Sequence, residues 1–573
     1  MANTTDGTSS LPPQRESGIA RWVHSDWPWV IGALLLFGMA AAQVASTWTV
    51  LSAVLDEPGH MALGMEWLDK GTYTCGEEFQ HPPISRVVLA LVPYLTGLRS
   101  HSLADPRAEG NAILCSAGDY RRNLAYARSG NLIFLALGCF SVFLWARRWF
   151  GKPAAFWSVL LFVSVPPVLG HTGLATLDIA SAASMMLALY ALVRCLEDPA
   201  WPKLVFLGAS VALAFLCKLS SLAFIPACMV CGLVYARVKW WSVSPKALPW
   251  RRLVRRGWVV AGVLFVVLWA GYRFSWKPIS VYERVHPAID RVLGNRPALR
   301  SFVHKAADVP FPLSEIATGI WQTVHHDKIG NGSYLFGEFR GTGWWYFFPV
   351  VVGVKTPIGF LILAGCGVFA ILRGFRSGPW QQHLTVVFPL AIMLVCVASR
   401  IDIGVRHILA IYPLLAVIAG YAVAELFLLA RRRSLAILVL PAILVAWVVA
   451  DSWMARPDYM AYFNELAGGH PERIRADSDL DWGQDLYRLS DRLRELHADH
   501  VSLAYFGGSL VDRAGLPPYS RLSPDVPTTH GYVAVSLQYL TVDYARDGSY
   551  AWLKHRTPLE KVGKSIYLYD FGQ

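Results

Sequence analysis

Residues 27–67, WPWVIGALLLFGMAAAQVASTWTVLSAVLDEPGHMALGMEW, decide the fold. The uncharged apolar run 28–50 ends just before Asp56 and Glu57, with His60 three residues further on. As a helix, a run of roughly 20 apolar residues crosses a ~30 Å hydrocarbon core. A polar, Pro- and Ser-containing stretch precedes the run, and no convincing small-residue cleavage site follows it, so it reads as a retained span rather than a signal peptide. A carboxylate pair at the mouth of a span is costly to keep there, and such residues more often mark function than surface charges do.

Outward from this stretch, apolar runs recur at 130–147, 153–171, 174–195, 203–217, 220–237, 257–273, 356–373, 383–399, 407–430 and 434–450. With the first, they predict a polytopic α-helical membrane protein of about eleven spans. Composition agrees: 54% of the 573 residues are hydrophobic and 16% charged, where a soluble globular chain carries about a quarter charged. The net charge of +12 could suggest nucleic acid, but its placement argues for topology. Arg147, Arg148 and Lys152 form one cluster, and Arg237, Lys239, Lys246, Arg251, Arg252, Arg255 and Arg256 a second. Arg373 with Arg376, and Arg431 to Arg433, complete the series. All fall on one side if the N-terminal tail 1–27 is cytoplasmic, as the positive-inside bias requires.

Loops 51–129 and 274–343, within a transmembrane domain over 28–450, and the tail 451–573 after it are then extracytoplasmic. The run 84–98 suits an interfacial helix, and WWYFFPVVVGVK (344–355) a re-entrant or interfacial lead-in. In the tail, Leu486, Leu489, Leu493 and Leu496 recur at helical spacing behind Asp481, a candidate N-cap. The segments 501–507, 532–540 and 565–571 read as strands, giving a small α/β domain. Seven of the nine cysteines lie in predicted spans, where thiols pack as small hydrophobes. Cys75 and Cys115 share the first loop on the oxidising side, and a disulfide between them is expected.

The informative charges gather at the outer ends of spans: Asp56, Glu57 and His60; Asp178 after His171; Lys218; Lys355; and Arg400, Asp402, Arg406 and His407. Any one of them could be a solvated cap or a snorkelling anchor, and Asp178 could simply pair with Lys218. Their convergence on one rim is what transfer from a phosphate-linked lipid donor needs. A carboxylate deprotonates the acceptor and cations neutralise the leaving phosphate. DSDLDWGQD (477–485) has the alternating acids of a calcium loop but Trp482 at its sixth position and Arg488 at its twelfth, which favours a cap-and-turn role. His325-His326-Asp327 could ligate a metal but reads better as a solvated cluster, and Asn331-Gly332-Ser333 is a glycosylation acceptor pattern that matters only in a eukaryotic lumen. Trp344-Trp345-Tyr346 could stack on a sugar but suits an interfacial anchor better.

The motifs LDEPGH (55–60), HPPISR (81–86), LATLDIA (174–180), CKLSS (217–221), YLFGEFRGTGWWYFFPVVVGVKTP (334–357), SRIDIGVRHILAIYPLLA (399–416) and DSDLDWGQDL (477–486) run through most of the chain. In this order the chain resembles the GT-C glycosyltransferases, in the protein-mannosyltransferase and aminoarabinose-transferase-like branch. The resemblance implies transfer of a sugar from a polyprenyl-phosphate donor to a glycan, lipid or protein acceptor at the outer face of the cell (inner or plasma) membrane, usually with inversion. It implies that Asp56, Glu57 and Asp178 are the catalytic carboxylates. His81 stands where relatives carry a basic or amide side chain near the donor phosphate. Lys218, Arg406 and His407 match positions facing the carrier phosphate, and His60, Lys355 and Arg400 join them as the substrate-binding set. Relatives differ on metal use, so no metal ligand is carried over and a divalent ion stays open. A transporter or lipid-sugar flippase is the alternative; it would show inverted repeats and midplane charges, whereas no repeat is visible and most charges sit at one rim.

The orientation is checked by cysteine labelling with an impermeant reagent. Sites engineered near Asp458 and Gly76 should label from outside, and sites near Pro245 should not; outside labelling of loop 238–256 would reverse the topology.

Overall fold

The computed structural model describes residues 26–572 apart from 241–249, 284, 375–377, 434–438 and 528–529. The tail 1–25, Lys246, Arg376 and the start of the expected span 434–450 lie outside the described residues.

The chain is a polytopic helical membrane protein with a sheet domain at its C-terminal end. Among the described residues, seven helices are long and apolar enough to cross a membrane, and up to nine if each of two bent pairs is one span. The eleven expected spans include two more, which fall on the shorter apolar helices Trp201–Cys217 and Val439–Met454. The central span is Asp178–Glu197, whose side chains are buried nearly all round, the pattern of a helix with neighbours on every face. Ala180, Ala183 and Ala191 let other helices approach it closely, and Phe162, Trp145, Phe388 and Tyr412 fill the surrounding core.

Both bent pairs break at proline, which lacks an amide donor and cannot continue the ladder. Lys152–Phe162 turns by 65° into Pro166–Thr172, and Phe347–Lys355 turns by 115° into Ile358–Arg373 after Pro357. The second bend makes the expected lead-in 344–355 a separate short helix. Its freed carbonyls are satisfied from the C-terminal segment: Asn464 Nδ2 donates to Gly353 O (2.6 Å) and Thr356 O (2.7 Å), and Asn464 N donates to Val354 O (2.8 Å).

The first loop is more helical than its sequence suggests. Besides Pro83–Leu95, which covers the expected interfacial run, it holds Glu57–Asp69, Pro106–Cys115 and Tyr120–Ser129. These helices share a core with the C-terminal domain, in which Met61, Met65, Leu89, Ile113 and Leu114 pack with Leu486, Leu489, Leu493 and Leu503. Local periodicity could not reveal these helices, because the surface that buries them lies some four hundred residues away.

The C-terminal sheet has strands β1 (Val501–Ala504), β2 (Tyr519–Arg521), β3 (Tyr532–Ser536), β4 (Glu560–Val562) and β5 (Ile566–Asp570), in the order β2-β1-β3-β5-β4. β1 runs parallel to β2 and β3, while β5 is antiparallel to both β3 and β4. The edge strands β2 and β4 escape a sequence reading because both are short and polar. β3 stops at Ser536, earlier than expected, where the next amides leave the ladder: Gln538 N donates to Asp481 Oδ2 (2.9 Å). Asp481 is therefore not the cap of helix Leu486–Glu495. Asp485 precedes that helix instead, and its carboxylate accepts from the Lys564 and Ser565 amides.

The expected Cys75–Cys115 disulfide is not formed; both thiols are free. Cys75 Sγ faces the carbonyls of Leu103 and Ala104, just before helix Pro106–Cys115, and Cys115 is the last residue of that helix. At about 1.5 Å rise per residue, the helix holds the two thiols at opposite ends, well beyond the reach of an S–S bond. In denatured, unreduced protein both should alkylate completely, as read by intact mass; a protein two alkyl groups short would restore the bridge.

Candidate functional site

Helix Glu57–Asp69 begins at a proline-led first turn, which points two adjacent carboxylates in different directions. Glu57 turns inward and is fully buried. It accepts from Val54 N (2.8 Å), Ala175 N (2.6 Å), Arg128 Nε (2.7 Å) and Arg128 NH2 (2.8 Å). Arg128, also fully buried, spends its remaining donors on the carbonyls of Trp48, Leu51 and Ser52. Asp56 turns outward, and its Oδ2 accepts from Arg406 NH1 at 2.9 Å.

Asp56 opens onto a cavity of about 1000 Å³ whose lining includes His60, His81, Asp178, Lys218, Arg406 and His407. Asp178 starts its helix and accepts from Lys218 Nζ at 2.6 Å, with His171 Nδ1 at 3.5 Å from its other oxygen. Lys218 follows the last turn of Trp201–Cys217. The cavity also has an apolar wall from Leu222, Ala223 and Phe224 on one span and Val395 and Ala398 on another.

His60 and His81 stand edge to face with ring centroids 5.5 Å apart. Burial, reinforced by the Arg86 guanidinium, holds both imidazoles well below the usual histidine range, so they are neutral. Arg86 Nε reaches His60 Nδ1 (3.2 Å), and its other nitrogens reach Tyr73 OH and Glu78 (both 2.9 Å). A neutral His81 can present a hydrogen bond to an anion but no charge.

Three expected site residues lie off the cavity lining. Glu57 is sealed against Arg128. Lys355 is buried at the 115° bend, where Nζ donates to Met460 O and Asp479 O, both at 2.7 Å, and sits 4.2 Å from the centre of the Phe463 ring. Arg400 is exposed, with its backbone amide bonded to Asp327. Asp402, flagged with the rim charges, accepts from Trp344 N (2.8 Å), and burial pushes its carboxyl up to about 6. Ser333 of the acceptor pattern is buried and donates to Asp402 O.

Conversely, the cavity takes residues that sequence reading left out: Glu78, Gln80, Arg107, Asp477 and Trp482. For Arg86 and Arg128 the signal was present, since each is a charge inside or at the start of an apolar run. For Trp482 it was an indole set among four aspartates. Asp477 to Asp485 make no calcium loop here. Asp477 and Asp479 pair with Arg475, and Asp481 and Asp485 accept backbone amides. Among the described residues, no group of three or more His, Cys, Asp or Glu side chains gathers to hold a metal ion.

Residues 122–269 match the family model described as dolichyl-phosphate-mannose-protein mannosyltransferase, and over that segment the resemblance read from the motifs is borne out. The matched stretch carries Asp178 and Lys218. No curated protein sequence matches the chain. Among solved structures, the chain is similar to ArnT from Cupriavidus metallidurans bound to undecaprenyl phosphate, at 14% identity over 95% of this chain and 98% of that one, with a TM-score of 0.49. It is similar to the Archaeoglobus fulgidus oligosaccharyltransferase in the apo form at 13% identity, over 94% of this chain and 73% of that one, with a TM-score of 0.49. The S. cerevisiae protein O-mannosyltransferase Pmt1-Pmt2 complex bound to the sugar donor is 17% identical over 43% of this chain and 33% of that one, with a TM-score of 0.34.

The Glu57–Arg128 pair supplies a stability prediction. Removing one partner leaves a buried charge uncompensated, at a cost of about 3–5 kcal/mol. Arg128→Ala should therefore lower the thermal unfolding temperature in detergent sharply, while Arg400→Ala leaves it near wild type. Equal melting of the two variants would refute the assignment of Glu57 to structure.

Proposed function

We propose that this chain is a membrane glycosyltransferase. In this reading it moves a sugar from a polyprenyl-phosphate donor to a glycan, lipid or protein acceptor at the extracytoplasmic face of the cell membrane, with inversion. The observation that carries the reading is one cavity that joins Asp56 and Asp178, with Lys218 and Arg406, to an apolar wall from two spans. The family match over 122–269 and the motif resemblance support the same chemistry.

Asp56 is the base. It is the carboxylate that reaches the cavity from the first span, and it remains partly accessible, whereas Glu57 has no free lone pair. The acceptor hydroxyl gives its proton to Asp56, and the oxygen attacks the anomeric carbon from the face opposite the phosphate. The carbon–oxygen bond to phosphate breaks, and the phosphate leaves with the electron pair. Lys218 and Arg406 lie where they neutralise that charge. Asp178 holds Lys218 in place, and the neutral His60 and His81 add hydrogen bonds. The polyprenyl tail lies along Leu222, Phe224 and Val395.

Asp56→Asn keeps shape but removes the proton acceptor. Turnover should fall by about 10²–10⁴-fold, with donor affinity retained. Lys218→Ala should weaken donor affinity first. A panel of polyprenyl-phosphate sugars, with turnover followed by radiolabel transfer, makes the measurement. Normal turnover in Asp56→Asn would remove the base assignment, and failure of the whole panel with wild-type protein would remove the reading.

A further inference from the structure

We infer that residues 478–484 form a strap that positions both members of the Asp56–Arg406 pair, with Trp482 as the positioning residue for the Arg406 guanidinium. The purpose of the pair rests on the proposed transferase reading; the positioning itself rests on geometry alone.

On the Asp56 side the strap runs alongside residues 52–55. Leu55 N donates to Trp482 O (3.1 Å), and Ser52 N donates to Gln484 O (2.9 Å). Ser52 Oγ donates to Gly483 O (2.8 Å) and accepts from Leu486 N (3.0 Å). From the other side Gly508 presses so close that a Cβ there would lie 2.3 Å from Val54 O. The backbone entering Asp56 is thus clamped by the C-terminal segment.

On the Arg406 side the same strap holds residues 403–405. Ser478 Oγ donates to Ile403 O (2.7 Å), and Val405 N donates to Asp479 Oδ1 (2.9 Å). Gly404, at φ +103°, lies against the Asp479 carboxylate, where a Cβ would stand 2.6 Å from Oδ2. Asp479 is fixed in turn by Arg475 Nε (3.1 Å). Only a residue without a side chain lets the two loops meet.

Between the two clamps lies the indole of Trp482, 1% exposed, with Arg406 Cζ 4.3 Å from the ring centroid. The guanidinium lies over this face, donates to Asp56 at its edge and reaches Ile403 O (3.4 Å). A planar cation over a desolvated indole is attracted to the ring face, which fixes a long side chain that otherwise has many rotamers. Trp482 also packs with Val54, Leu174 and Met460. Packing alone would make its replacement costly to stability but would leave Arg406 in place.

Two substitutions, one aromatic and one not, separate the roles. Trp482→Phe keeps an aromatic face, and Trp482→Met fills space without one. Cryo-EM of full-length protein in nanodiscs should find Arg406 still on Asp56 in Trp482→Phe and swung away from it in Trp482→Met. Affinity for sugar-free polyprenyl phosphate should fall about tenfold in the Met variant and recover in the Phe variant. Arg406 still bonded to Asp56 in Trp482→Met would overturn the inference. If Trp482→Met does not fold, Ser478→Ala decides, because it removes one strap bond and little packing. An Arg406 displaced from Asp56 supports the strap, and an unchanged pair overturns it. If wild-type protein does not bind polyprenyl phosphate while Arg406 still leaves Asp56 in Trp482→Met, the transferase reading falls and the strap stands.

Discussion

The buried bond between Glu57 and Arg128 organises the rest of the site. Taking two charges out of water is costly, and it is tolerated only when their remaining lone pairs and protons are satisfied. Here that condition recruits most of the surroundings. The carboxylate collects the amides of Val54 and Ala175, and the guanidinium collects three carbonyls between Trp48 and Ser52. The end of the first span, the start of helix Glu57–Asp69, the helix that carries Arg128 and the turn before Asp178 are tied to one point. Asp56 inherits its place from its neighbour: with Glu57 sealed inside, the helix phase sends Asp56 to the cavity.

The cavity is built from helix ends, and helix ends leave backbone groups unpaired. Asn464 answers the carbonyls at the 115° bend, Lys355 fixes Met460 O and Asp479 O beside it, and Asp479 takes the amide at Val405. Each of these groups connects the helical bundle to the C-terminal segment. The segment 460–485 is therefore part of the membrane domain's hydrogen-bonding network rather than an appended module, and it supplies the floor under Arg406.

The spans were legible because apolar runs of the right length have one reading. Asp56, Asp178, Lys218 and Arg406 were legible because charges at span mouths are rare enough to be noticed, and these four line one cavity. Glu57 could not be told from Asp56 by sequence, since one residue of helix phase separates a cavity wall from a sealed pair. Lys355 looked like a rim cation because its partners, the carbonyls of Met460 and Asp479, lie more than a hundred residues on. Trp482 was hidden by its acidic neighbours, which invited a reading as a loop or cap. The first-loop helices other than Pro83–Leu95 were missed because the core that buries them belongs to the tail. In each case the missing information was a partner distant in sequence.

Ser52 and Gly483 meet across 431 positions of chain. Synthesis runs from the first to the second, so Asp56 is made before the residues that bracket its loop. Until the late segment has been delivered to the same side of the bilayer as Asp56, the early carboxylate lacks its floor and its clamp. A ribosome-bound chain carrying every span would still be without a formed site. The sequence separation means that the site takes shape only once segment 478–484 has joined the first loop.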